Sequence, residues 1–304
     1  MPKQYIASFD GGGVRGALTA CFLVELEKQT GKLCREIFSM VAGTSTGSII
    51  AACVAAGIPA TNILSFYQAD APKIFDLSSL ESLPVRVARG YAYQSDKVEV
   101  ALKSKLGAAA EWCLNDSPIR LLICSTKVDG RAMYFVQDRP KNSGTTGKLL
   151  LVDCAVASAA APTYLSPWYV APMGGSLVGW CVDGGVSGMA NPTYQACVEA
   201  FLYDDFDPTN TSVISLGTGY SPNSAVNPPS GIVATLSLVL DSLLSNAGVQ
   251  QDNAAKRSFP GVVQRFNWKL PKAVDMADAS AIPSLVKLGQ ELAPQMNWRA
   301  VLEL

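Results

Sequence analysis

No histidine occurs anywhere in the 304-residue chain. That absence removes the commonest general base, the usual partner of a catalytic serine and the commonest metal ligand. The eight cysteines, at positions 21, 34, 53, 113, 124, 154, 181 and 197, never form a C-x-x-C pair. A structural zinc site therefore has no ligand pattern to rest on. Several cysteines sit inside apolar runs, such as Cys53 in IIAACVAA and Cys124 in LLICS, which leads us to expect buried free thiols in a reducing compartment. Charge is scarce too. Only 16% of residues are charged, the net charge is −1, and no basic run interrupts the sequence. Phosphate binding needs clustered Lys and Arg, so nucleic acid is not an expected partner.

Long apolar segments are also missing. The uncharged run Ser48 to Ala60 is too short for a bilayer and contains Gly57 and Pro59. The N-terminal MPKQYIASFD lacks the pattern of a signal peptide and leads directly into a strand-like run. The expectation is a cytoplasmic protein with no signal peptide or transmembrane segment, for which peripheral contact with a membrane surface stays open. DDFD (Asp204 to Asp207) lacks the glycine and distal glutamate of a calcium loop, and reads as a solvated acidic turn.

What is present is an alternation. YIASF (Tyr5 to Phe9) is a β-rich run ending in DGGG, followed by Leu18, Phe22 and Leu26 at helical spacing. IFSMVAG (Ile37 to Gly43) reads as a second strand, and SIIAACVAA as a small-residue helix stopped by Gly57 and Pro59. Strand, glycine turn and helix thus occur twice within the first sixty residues, which argues for a largely parallel sheet covered by helices. Residues 71–94 are irregular and read as a cap or lid. IRLLICSTKV and RAMYFVQ, joined by Asp129-Gly130, read as a hairpin. PKNSGTTGK (Pro140 to Lys148) reads as an exposed loop, because its spacing fails that of a phosphate-binding loop. DCAVASAAA (Asp153 to Ala161) is a helix candidate, and SLVGWCVDGG (Ser176 to Gly185) a strand running into a glycine turn. Asn191-Pro192 suits a helix start. SVISLGTG (Ser212 to Gly219) and VVQRFNWKL (Val262 to Leu270) are strand candidates. Helices are expected near Ile232 to Leu244 and from Pro283. No repeat or linker divides the chain, so residues 1–304 are read as one domain.

Three motifs could carry chemistry. GTSTG (Gly43 to Gly47) between a strand and a helix fits a nucleophile elbow, in which Gly43 and Gly47 leave room for a sharp turn that presents Ser45; a chance loop match is the alternative. DGGGVRG (Asp10 to Gly16) satisfies G-x-G-x-x-G, so a dinucleotide loop competes with an oxyanion hole and with a plain tight turn. Against the dinucleotide, no strand closes on an acidic residue about twenty positions on; Glu36 precedes its strand. Asp183 in CVDGG follows a strand, and partial burial would raise its pKa toward that of a usable base. It could equally be a turn residue. A lysine base is disfavoured because no S-x-x-K accompanies Ser45.

In this order DGGGVRG, GTSTG and DGG resemble the patatin-like phospholipase family. ASAAAPTYLSP (Ala157 to Pro167), the Asn-Pro after DGG and ISLGTG (Ile214 to Gly219) extend the resemblance over residues 5–219. It implies an α/β fold, a three-layer sandwich with a mostly parallel central sheet flanked by helices, on which residues 220–304 would pack. It also implies a lipid acyl hydrolase of the phospholipase A type that uses no metal and no cofactor, and whose partner is a lipid or phospholipid substrate met at a membrane surface. By position, Ser45 would be the nucleophile and Asp183 the general base. Gly11, Gly12 and Gly13 would form the oxyanion hole, with Arg15 nearby. Where the family pattern leads us to expect two asparagines before the proline, this chain has Ala190-Asn191, which touches a supporting contact and not the dyad. A non-catalytic lipid-binding or storage protein of the same fold, and a dinucleotide-binding protein, are the competing readings.

Overall fold

A computed structural model describes residues 2–76, 88–139, 146–171, 178–221 and 247–304. Strand β1 (Gln4–Phe9) pairs in parallel with β2 (Met40–Thr44) on one side and with β9 (Thr211–Leu216) on the other. Next to β9 lies β10 (Val263–Phe266), and next to β2 lies β4 (Arg120–Lys127), both parallel to their neighbours. β1, β2 and β9 are near-continuous apolar runs because both of their faces are covered, as parallel strands require.

At β4 the sheet turns antiparallel. β5 (Ala132–Val136) folds back on it through Asp129-Gly130, the expected hairpin, while β8 (Gly179–Asp183) pairs with the last residues of β4 and with β7 (Trp168–Val170). β3 (Tyr91–Tyr93) and β6 (Thr163–Leu165) form a separate short pair.

The register has a geometric consequence. β2 and β5 both pair with Leu122, Ile123 and Cys124 of β4, and β5 and β8 both pair with Ser125 and Thr126. A strand has only two edges, so β2 and β8 share the edge opposite β5. They approach from opposite directions: β2 ends with Thr44 beside Cys124, and β8 ends with Asp183 beside Ser125. Two strand ends therefore meet head to head.

Helices cover both faces. Ala7, Phe9, Val41, Ile123 and Leu216 face one core, shared with helices Gly16–Thr30, Thr46–Ala56, Leu151–Ala159 and Ile282–Leu292. Ile6, Met40, Ala42, Leu122 and Val213 face a second core, under helix Thr193–Val198. This is the three-layer arrangement expected. The helix after GTSTG is buried from Thr46 to Ala55, which explains its lack of a polar face. It stops at Gly57, whose φ of 77° is the left-handed conformation that ends helices at low cost.

Several local expectations differ. Ile37 was read as strand, but Cys34–Ile37 is helical, because Glu36 accepts the Leu33 N–H (2.7 Å) and Glu27 accepts the Cys34 N–H (2.9 Å). The acidic turn is not solvated throughout. Asp204 is buried and paired with Arg139 (2.8 Å) and Arg120 (3.3 Å), and Arg139 also holds Glu199. Thr146, near the end of the expected exposed loop, is buried and bonds both the N–H and the C=O of Val136. Asn191 acts as expected at its helix start, accepting the Thr193 N–H at 2.9 Å. All eight cysteines are free, seven of them buried. The helix read near residues 232–244, residues 140–145 of the loop and residues 77–87 of the lid candidate lie outside the described residues.

Arg139 touches both Glu199 and Asp204 in this buried cluster. Arg139→Met removes the cation these two carboxylates share, and is expected to cost about 3–5 kcal/mol, read as a lowered urea midpoint with unchanged slope.

Candidate active site

Ser45 occupies the junction between β2 and helix Thr46–Ala56 with φ 56° and ψ −128°. A non-glycine residue at such a φ is strained by roughly 1–3 kcal/mol, so its surroundings must enforce it. They do so by close packing. A Cβ added to Gly43 would lie 2.2 Å from the Gly47 carbonyl oxygen, and one added to Gly47 would lie 2.1 Å from that of Phe9. The first helical turn is thus pressed onto the ends of β2 and β1. Ser158, from helix Leu151–Ala159, pins the turn from the other side: its Oγ accepts the Ser45 N–H (2.9 Å) and donates to the Cys124 carbonyl (2.6 Å). Ser48 Oγ donates to the Ser45 carbonyl at 2.6 Å.

Asp183, at the end of β8, faces this turn and is only 2% exposed. Its carboxylate accepts the Gly185 N–H at 2.7 Å. Burial pushes its pKa up to about 6, against the opposing pull of the Ser45 side chain and of the Gly185 N–H. Its backbone is fixed as well, with its N–H donating to Ala160 O (3.0 Å) and its carbonyl accepting from Thr126 Oγ1 (2.9 Å).

The glycine loop lies against the same serine. A Cβ on Gly11 would stand 3.0 Å from Ser45 Cβ. The Gly11 N–H is committed to the Ala190 carbonyl (2.8 Å), whereas those of Gly12 and Gly13 have no acceptor among the described residues. Gly12 and Gly13 have φ of 151° and 57°; their Cβ positions are filled by Thr218 Oγ1 and the Met276 carbonyl. The chain's own atoms thus take the space over these glycines that a pyrophosphate would need. Arg15 donates from its backbone N–H and from Nε to the Gly12 carbonyl (both 3.2 Å), bracing the loop.

Asp10 anchors the start of this loop. It forms a two-pronged ion pair with Arg265 of β10, one prong at 2.8 Å, and Arg265 also reaches Ser215 Oγ at 2.9 Å. Burial raises the Asp10 pKa, with Arg265 pulling the other way. Beside Ser45 opens a pocket of about 40 Å³ with apolar walls that include Val14, Ile49, Phe66, Ile74, Phe75, Val98 and Leu165. Tyr67 also lines it, its hydroxyl occupied by Thr46 Oγ1 at 2.6 Å. Ala71, Ile74 and Phe75 bring part of the lid candidate into this wall.

Ser45, Asp183, Gly11, Gly12, Gly13 and Arg15 therefore converge, with Gly43 and Gly47 shaping the turn. Ser158 and Arg265 received no role from the sequence. Each had a signal: a serine among the small residues of CAVASAA, and a charged side chain within the strand-like run VVQRF. Among the described residues, no group of three or more Cys, Asp or Glu could hold a metal ion, and no helix is long and apolar enough to cross a membrane.

The sequence pattern of the family described as "Patatin-like phospholipase" matches residues 7–197. The chain is 30% identical over 230 residues to a "cGAMP-activated phospholipase" of Escherichia coli, a match covering 72% of this chain and 62% of that protein. It is 28% identical to the protein of the same description from Vibrio cholerae, over 95% of this chain and 90% of that one. The crystal structure of VipD from Legionella pneumophila superposes with a TM-score of 0.49 at 12% identity, covering 97% of this chain and 66% of that one.

A carboxyl raised from 3.8 to about 6 contributes stability that is complete below 3.8 and lost as pH rises through 6. Ionised Asp183 thus costs the fold on the order of 3 kcal/mol at neutral pH. Calorimetry should find Asp183→Asn with a higher Tm than the parent at pH 8 and no such gain at pH 4. By contrast, Gly47→Ala should lower Tm at both pH values, since its Cβ meets backbone rather than a movable side chain.

Proposed function

The chain belongs to the patatin-like phospholipase family, and from that premise we propose that it hydrolyses fatty acyl esters of lipids through a Ser45–Asp183 dyad. The observation that carries this reading is a strained serine set against a buried carboxylate whose pKa its side chain lowers, at the mouth of an apolar pocket. With no histidine in the chain, Asp183 is the base in reach of Ser45. With a pKa of about 6 it is mostly ionised at neutral pH, yet a stronger base than an ordinary aspartate.

Asp183 takes the Ser45 proton as Oγ attacks the ester carbonyl. The charge that develops on the carbonyl oxygen is met by the N–H groups of Gly12 and Gly13, which are aimed in advance and need no reorganisation. Gly11, whose N–H is already spent on Ala190, contributes its lack of a side chain, which lets the loop approach Ser45. Collapse of the intermediate expels the alcohol, protonated by Asp183, and leaves an acyl-enzyme with its chain in the apolar pocket. Asp183 then activates a water molecule that releases the fatty acid. The names of the relatives, phospholipases, support a lipid ester as substrate. The strain kept at Ser45 argues against a storage or binding role, which has no use for it.

A fluorophosphonate probe should label the protein and fail to label Ser45→Ala; equal labelling of both would overturn the assignment. Asp183→Asn should fold yet lose about 10²–10⁴ in kcat, measured by mass detection of released fatty acid. The rate should rise with pH around a midpoint near 6, as Asp183 ionises, and level off above it.

A further inference from the structure

We propose that Trp180 and Tyr169, with Val128 beside them, form the surface that seats the protein on a lipid–water interface; this rests on the lipid hydrolase reading above. Tyr169 and Trp180 lie directly opposite each other on β7 and β8, rings edge to face with centroids 5.3 Å apart. They are 49% and 53% exposed, and Val128, whose N–H donates to the Trp180 carbonyl, is 60% exposed. Isolated exposed apolar side chains are ordinary. Here three adjoin, and the two aromatic rings lean on each other instead of into the core.

Their position ties them to the site. β8 continues past the point where β2 stops, so Trp180 stands beyond the end of the sheet at which Ser45 is presented, three residues before Asp183. A groove of about 480 Å³ lies beside it, lined by Tyr91, Gln94, Val128, Ser166, Pro167 and Trp180. The β3–β6 pair borders both the groove and the acyl pocket. Leu165 lines the acyl pocket, and Tyr93 opposite it packs on Phe75 of that pocket; the adjacent Ser166 lines the groove.

The chemistry of the patch favours lipid over protein. Trp and Tyr combine an apolar body with one polar edge, which suits the headgroup level of a bilayer. Two half-exposed aromatic side chains and one valine fall well short of the roughly 800 Å² per partner of a stable protein interface. An acyl ester in a bilayer also keeps its carbonyl near the headgroups, so this end of the sheet must face the lipid for Ser45 to reach it.

The test uses the full chain carrying Ser45→Ala, so that vesicles are not consumed. Co-sedimentation with phosphatidylcholine vesicles is compared with and without Trp180→Ala/Tyr169→Ala. The pair of substitutions should lower the partition coefficient at least about tenfold. Binding by the parent should persist from about 0.1 to about 1 M salt, since apolar burial is not screened. With Ser45 intact, the substituted protein should hydrolyse a water-soluble short-chain p-nitrophenyl ester within twofold of the parent rate, and Val128→Ser should weaken vesicle binding in the same direction without perturbing β7. Equal partition of parent and double variant overturns the proposal. So does a change in molar mass by light scattering with partition unchanged, which would make the patch a protein interface. Failure of the hydrolase reading looks different: the Ser45-intact parent cleaves neither ester nor lipid, while the sedimentation comparison still gives its answer.

Discussion

Two strands that run into each other end to end along one edge of β4 cannot both continue, and the site follows from how the chain leaves that collision. β2 leaves through the strained turn at Ser45 into a helix. β8 leaves through Gly184 and Gly185, whose turn returns an amide to the Asp183 carboxylate. Backbone groups at the seam lose the neighbour that an unbroken strand would supply, and buried polar groups must be paired. The Cys124 carbonyl and the Ser45 N–H both find Ser158. The collision therefore yields, at one place, a serine hydroxyl and a carboxylate removed from water. Desolvation does the rest, raising the basicity of a group that would otherwise be a poor proton acceptor.

The same confinement explains why the glycines are where they are. In the elbow they allow backbones to touch: Gly43 on Gly47, Gly47 on Phe9, Gly11 on Ser45. Helix Thr46–Ala56 can be buried on all sides because its own small residues, and those of the neighbouring Leu151–Ala159, leave the axes close together. Larger side chains on either helix would push Ser45 away from Asp183 without altering a single polar residue.

Much of this was legible in the sequence, because local chemistry wrote it. The strand–glycine–helix units and the Asp129-Gly130 hairpin each depend on residues close together in the chain, and each forms where the sequence places it. The boundary at Ile37 moved because a side chain on the preceding helix, that of Glu27 seven positions earlier, accepts the Cys34 N–H. Asp204 was read as solvated since its partners Arg120 and Arg139 are more than sixty positions away. Ser158 and Arg265 escaped notice for the same reason. Their roles exist only once the sheet brings helix Leu151–Ala159 to Cys124 and β10 to the end of β1. That the Gly11 N–H is taken, while those of Gly12 and Gly13 have no acceptor among the described residues, likewise needed the Ala190 carbonyl, 179 residues on.

The pairing of Asp10 with Arg265 reaches further than bracing a loop. The family pattern ends at residue 197, yet the counter-charge for the first residue of DGGGVRG, and the Met276 carbonyl that receives the Val14 N–H, both come from beyond it. A chimera that replaced the last hundred residues with a segment lacking a cation at this place would keep DGGGVRG, GTSTG and DGG and still bury an aspartate without its partner. The unit that has to stay together in any recombination is therefore longer than the stretch by which the protein is recognised.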